Sequence, residues 1–173
     1  MPIRTGETIE APNMGMRVTC RESTPALKVD LWMHADAASI PMHVHPHQEE
    51  RITVVRGSVR SRSGKVDRVL QPGDTVVSPP GVPHTVGPAA DEEVEILAEL
   101  NPALGYGQFM ERSFALDRAG YVNKAGRGNP VRLATAKPHQ AEFFVAGVPS
   151  AMQRGLLAAL DRLAGLLGYN KPV

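Results

Sequence analysis

The chain has 173 residues, 42% apolar and 21% charged, which suits a soluble globular protein with one buried core. Nineteen basic and eighteen acidic residues leave a net charge of +1, so the broad positive footprint of a nucleic-acid-binding surface is excluded. A single cysteine, Cys20, rules out an intramolecular disulfide and a thiolate metal cluster. No apolar run is long enough to span a bilayer and the start has no apolar h-region, so the expectation is a cytoplasmic protein with no membrane partner.

The first hundred residues break into short runs that alternate or are rich in β-branched residues. In order they are MRVTCRES (16–23), ALKVDLWMHA (26–35), RITVVRGSVRSRSG (51–64), KVDRVLQPG (65–73), DTVVSP (74–79) and EVEILAELNP (93–102). Turn residues recur every eight to twelve positions. Ser63-Gly64 reads as a hairpin tip and Gln71-Pro72-Gly73-Asp74 as a turn. Many short strands at this spacing predict an all-β sandwich or barrel. Cys20, in one such run, reads as a small core residue.

Beyond Pro102 the character changes. GQFMERSFALDRAG (107–120) has Phe109, Met110, Phe114 and Leu116 at helical spacing, with Gly120 as the stop. Residues 121–139 are polar and broken by Gly and Pro, a connector with room for a short helix. From Pro149, the residues Met152, Leu156, Leu160, Leu163 and Leu167 form one apolar stripe of a helix ended by Gly168. The stripe predicts a helix packed on the outside of the β-domain. The expected division is a β-domain over 1–101 and a helical extension over 102–173 that packs on it.

The chemistry concentrates in PMHVHPHQEERITVVRG (41–57). His43 and His45 are separated by one residue, so on a strand they project from one face. On the next strand Glu50, Ile52 and Val54 share a face, and Glu49, Arg51, Thr53 and Val55 share the other. The face with no second charge is the inward one, which selects Glu50 over Glu49. Two imidazoles and a carboxylate suit a facial metal site. His84, held between Pro83 and the Pro79-Pro80-Gly81 turn, is a further candidate, or alternatively a wet turn histidine. His47, beyond Pro46, falls at the rim, and His139 is assigned no role. Trp32 and His34 share a strand face: if it points inward they line a cavity, and otherwise Trp32 packs beneath the C-terminal helix or at a subunit interface.

Taken together, residues 43–88 resemble the two motifs of the cupin superfamily. His43, His45, Glu50 and Gly57 match the first motif in register; Gly73, Pro79, Gly81 and His84 match the second. Ala37 and Pro88 replace the glycine that opens the first and the asparagine that closes the second, positions that shape turns. The resemblance implies a double-stranded β-helix, a jelly-roll barrel, holding one divalent transition metal (Fe, Mn, Ni, Cu or Zn) on His43, His45, Glu50 and His84. It implies a small-molecule substrate, with Trp32, His34 and His47 as pocket candidates, and oxygenase or dioxygenase activity as the leading expectation. The alternatives are a metal-assisted isomerase or cyclase, or a non-catalytic binding or sensor module. A homodimer, with the 16–23 strand exchanged between copies, is the implied assembly.

Overall fold

The structure, a computed structural model, describes residues 2–171; residue 1 and residues 172–173 of the two expected segments lie outside the described residues. Among the described residues, eleven strands form two antiparallel sheets. They are β1 (Thr8–Ala11), β2 (Met16–Glu22), β3 (Leu27–Met33), β4 (His43–Val44), β5 (Glu49–Arg56), β6 (Val59–Ser63), β7 (Val66–Leu70), β8 (Thr75–Ser78), β9 (His84–Pro88), β10 (Val94–Asn101) and β11 (Phe144–Val145). One sheet runs β1-β2-β3-β10-β5-β8 and the other β11-β4-β9-β6-β7. This is the expected all-β double-stranded β-helix.

Alternation decides which face of each strand is buried. In β3 the residues Leu27, Val29, Leu31 and Met33 point inward, and across the ladder Val94, Ile96, Ala98 and Leu100 of β10 meet them. Ile52 and Val54 of β5 complete the row, and Glu50 occupies the same face opposite Leu100. A polar carboxylate therefore ends an otherwise apolar column. Cys20 is buried in this core.

The turns follow the sequence signals. Gly64 opens the β6–β7 hairpin with φ +60°, as a two-residue II′ turn requires at its first position. Gly57 joins β5 to β6 at φ +74°, where a Cβ would stand 2.5 Å from the Glu93 carbonyl oxygen. Only glycine fits there without a backbone shift.

Among the described residues, four helices follow β10: α1 (Tyr106–Arg118), α2 (Pro130–Ala134), α3 (Pro138–Ala141) and α4 (Ser150–Leu166). Gly120 ends α1 as predicted. Its N–H donates to the Asp117 carbonyl and the Tyr121 N–H reaches back to Leu116, closing a Schellman motif. The buried Asp117 carboxylate accepts the backbone N–H groups of Asn13 and Met14, both at 3.0 Å, and pins the β1–β2 turn to α1. Between α1 and α3, Asn129 caps α2 by accepting from Val131 and Arg132.

The α4 helix packs on α2, on α3 and on β11 of the five-stranded sheet, but with a different stripe from the expected one. Of the predicted stripe, Met152, Leu156, Leu163 and Leu167 are exposed and Leu160 is half-buried. The helix carries two apolar stripes side by side, and the fold uses the one with smaller residues. Periodicity identifies an apolar stripe but cannot say which of two is covered.

Candidate metal centre

The four candidate ligands converge because neighbouring strands bring them together. His43 opens β4 and pairs directly with His84, the first residue of β9. His84 also faces Ser63 of β6, and Glu50 of β5 faces Ser78 of β8 from the opposite sheet. His43, His45, Glu50 and His84 are each at most 5% exposed, and their ligand atoms lie within 4.8 Å of one another.

The hydrogen bonds around the rings fix their tautomers. His43 Nδ1–H donates to the Pro41 carbonyl at 2.8 Å, His84 Nδ1–H to Val82 at 2.8 Å, and His45 Nδ1–H to Glu142 at 3.1 Å. A carbonyl only accepts, so each Nδ1 carries the proton and each Nε2 turns a lone pair inward. His43 Nε2 and His45 Nε2 then face each other at 3.1 Å, two acceptors without a proton between them. Glu50 Oε2 stands 2.8 Å from His84 Nε2, an ion-pair distance without hydrogen-bond geometry. A cation bound at about 2.0–2.2 Å from each ligand would hold them about 3–4.4 Å apart, close to what is seen. The donor set fits one divalent ion.

The charges agree with that fit. Burial pushes the His43 imidazolium down to about 3, so the ring is neutral as a ligand must be. Burial alone would raise the Glu50 carboxyl, but His84 and the other two imidazoles hold it at about 2 and anionic. Burial opposes protonation of His84, and the Glu50 carboxylate beside it outweighs this and raises its pKa. Metal entry therefore competes with a proton at His84.

The extension builds one wall of the site. β11 pairs with β4 and lengthens the five-stranded sheet beside His43. Phe143 stacks on the His43 ring at 4.4 Å between centroids, Phe109 stacks on Phe143 at 5.1 Å, and Tyr106 meets His45 edge-on at 5.4 Å. Glu142 does two things. Its carbonyl orients His45, and its carboxylate accepts from His47 at 2.8 Å and from Arg154 of α4 at 2.8 Å. None of these residues was singled out as part of the site in the sequence. The Phe143-Phe144 pair in a polar stretch was the available signal.

The remaining candidates fall elsewhere. The His47 side chain is 72% exposed and lies at the rim against Glu142, while Glu49 points outward and pairs with Arg51. Trp32 and His34 do share a face, but it is the outer one. Trp32 is half-buried under the Arg17 guanidinium, and exposed His34 pairs with Asp36. They are not pocket residues, because Leu31 and Met33 take the inward positions of β3. Its carbonyl aside, which accepts from Arg154, His139 makes no hydrogen bond to a ligand or to the wall.

The Cupin domain family matches residues 31–98, which contain all four ligands. Among solved structures, TT1209 from Thermus thermophilus aligns with a TM-score of 0.50 at 20% identity, covering 54% of this chain and 89% of that one. An RmlC-like cupin from Shewanella frigidimarina aligns at 0.49 and 23% identity, over 55% and 83% of the two chains. A cupin-like protein from Thermotoga maritima aligns at 0.46 and 27% identity, over 50% and 68%. No curated protein matches the sequence significantly. The family match, the two-sheet fold and the buried His/Glu cluster together show a cupin domain over residues 31–98 of this chain.

Proposed function

We propose that the chain is a metal-dependent enzyme acting on a small molecule, with oxygenation of the substrate as its reaction class. The observation that supports this most is the convergence of four buried ligand atoms, from His43, His45, Glu50 and His84, within 4.8 Å of one another. Three histidines and one carboxylate would leave positions open on a six-coordinate ion, and a redox-active ion bound there would relay electrons from the oxidised substrate to O2. The chain's own residues then do three things. The carbonyls of Pro41, Val82 and Glu142 hold the imidazoles in the ligating tautomer, Glu50 supplies the negative charge, and Phe143, Phe109 and Tyr106 exclude water from one side.

The test is oxygen consumption by Fe(II)-loaded protein against catechols, flavonols and β-diketones. Uptake that requires the metal is the expected result. Protein that holds its metal and consumes no oxygen across the panel overturns the oxygenase reading and leaves metal-assisted isomerisation or cyclisation.

A homodimer belongs to the same proposal, with the outer face of α4 as its contact. The outer face of the six-stranded sheet is unsuited, being covered by charge pairs such as Arg21–Asp30 and Lys28–Glu22. On α4, a two-fold axis beside Ala159 would set Leu163 against Gly155, where a Cβ meets nothing within 4 Å, and Met152 against Leu166. Light scattering should give a dimer for the protein and a monomer for Leu156→Glu/Leu163→Glu; a dimer in both removes α4 from the interface.

A further inference from the structure

A cavity of about 360 Å³ opens between β7 and β8, the facing edges of the two sheets, and none of the four ligands lines it. Its position relative to the metal centre follows from register. Ser63 lines the cavity and pairs across the ladder with His84, while Ser78 pairs with Glu50. The two hydroxyls meet at 3.0 Å. The cavity therefore ends at Ser63, whose hydroxyl bonds Ser78 beside the metal-centre strands.

The cavity also has a sign. Arg68 is the only charged residue among the described residues that line it. Register places Arg68 opposite Ser61, on the face of β7 that looks into the barrel, whereas Asp67 on the other face is taken by Arg60 and Arg62. Arg68 has no ion-pair partner among the described residues. An exposed guanidinium at a cavity lined by hydroxyls, with no other charge in the lining, is the donor set for a carboxylate. Neutral and cationic ligands gain nothing from it.

We infer that this cavity is the substrate pocket of the metal centre and that it selects small carboxylates, with the carboxylate on Arg68 and the opposite, oxygen-bearing end past Ser63 toward the metal. The inference rests on the metal-centre reading above. Ser61, opposite Arg68, and Ser63, opposite His84, are two residues apart on one strand, about 7 Å. A ligand that reaches both ends is thus about five to seven heavy atoms long. The volume lies within the range of small-molecule sites, and Val66, Val76 and Val82 supply its apolar walls.

The test uses protein loaded with Co(II), whose visible bands report on the metal, and two probes with the same chelating head. 2-Oxoglutarate carries a distal carboxylate, and 2-oxovalerate has a methyl group there. Titrated at low ionic strength, 2-oxoglutarate should shift the bands with a Kd lower than that of 2-oxovalerate by about tenfold or more, the worth of a charge-assisted hydrogen bond. Arg68→Gln should erase that difference, leaving the Kd of 2-oxovalerate and the Co(II) bands of the ligand-free protein unchanged. Equal affinity for the two probes, a preference that survives Arg68→Gln, or no band shift with either probe overturns the inference while leaving the metal centre intact. Protein that binds no Co(II) overturns the metal reading itself.

Discussion

Replacing His43 and His84 together by alanine lowers the metal content of the purified protein from about one ion per chain to none. The expectation follows from how the site is built. His43 and His84 form the single β4–β9 ladder pair, and each has its Nδ1 proton committed to a backbone carbonyl, so neither can be replaced by a neighbouring ring. His47, next along the chain, is turned to the surface and occupied by Glu142. His47→Ala and Glu49→Ala should therefore leave the stoichiometry at one. The same variants report through stability. An ion present at about a hundred times its Kd stabilises the native state by about 2.7 kcal/mol, so adding metal should raise the Tm of the parent protein and leave that of His43→Ala/His84→Ala unmoved. Elemental analysis of protein purified without chelating resin, alongside thermal melts with and without metal, reads both effects. Unchanged metal content in the double variant would place the ion elsewhere.

Why Glu50 could be read from sequence and Phe143 could not has a physical answer. Strand alternation has period two, so one observation, that Arg51 and Glu49 share a face, fixed the direction of Glu50. His43 and His45 follow from the same rule, and the glycines at 57 and 64 from the φ values their turns require. The outer parts of the site obey no such local rule. β4 and β11 are two residues each, too short to leave a periodic pattern, and they pair with each other across about a hundred residues of chain. The Glu142 carbonyl that orients His45 is a backbone group, and no side-chain pattern announces it. For Trp32 and for the α4 stripe, periodicity was right about which residues share a face and silent about which face is covered. Burial depends on what the neighbouring element presents, and that is tertiary information.

Phe144→Ala should cost about 3–5 kcal/mol of stability, the range for emptying a buried aromatic position, and should also weaken metal binding. Phe144 is fully buried on β11, opposite Val44, with the Arg154 guanidinium 5.1 Å from its ring centroid. A two-residue ladder contributes little by itself, so packing of this ring is what holds β11 on β4. With the ring removed, the segment from Glu142 to Val145 loosens, and the carbonyl that fixes the His45 tautomer leaves with it. Losing such an outer partner of a metal-bound imidazole lowers affinity by about 10–100-fold. Val145→Ala is the control, since Val145 lies on the same strand and is 54% exposed; it should change neither property. Urea denaturation and competition against a chromophoric chelator measure the two effects separately. A variant that loses stability but binds metal as tightly as the parent would make the extension a cover over the site. Loss of both, with Val145→Ala unaffected, makes residues 142–145 part of the metal centre, completing with a backbone carbonyl what His43, His45, Glu50 and His84 begin.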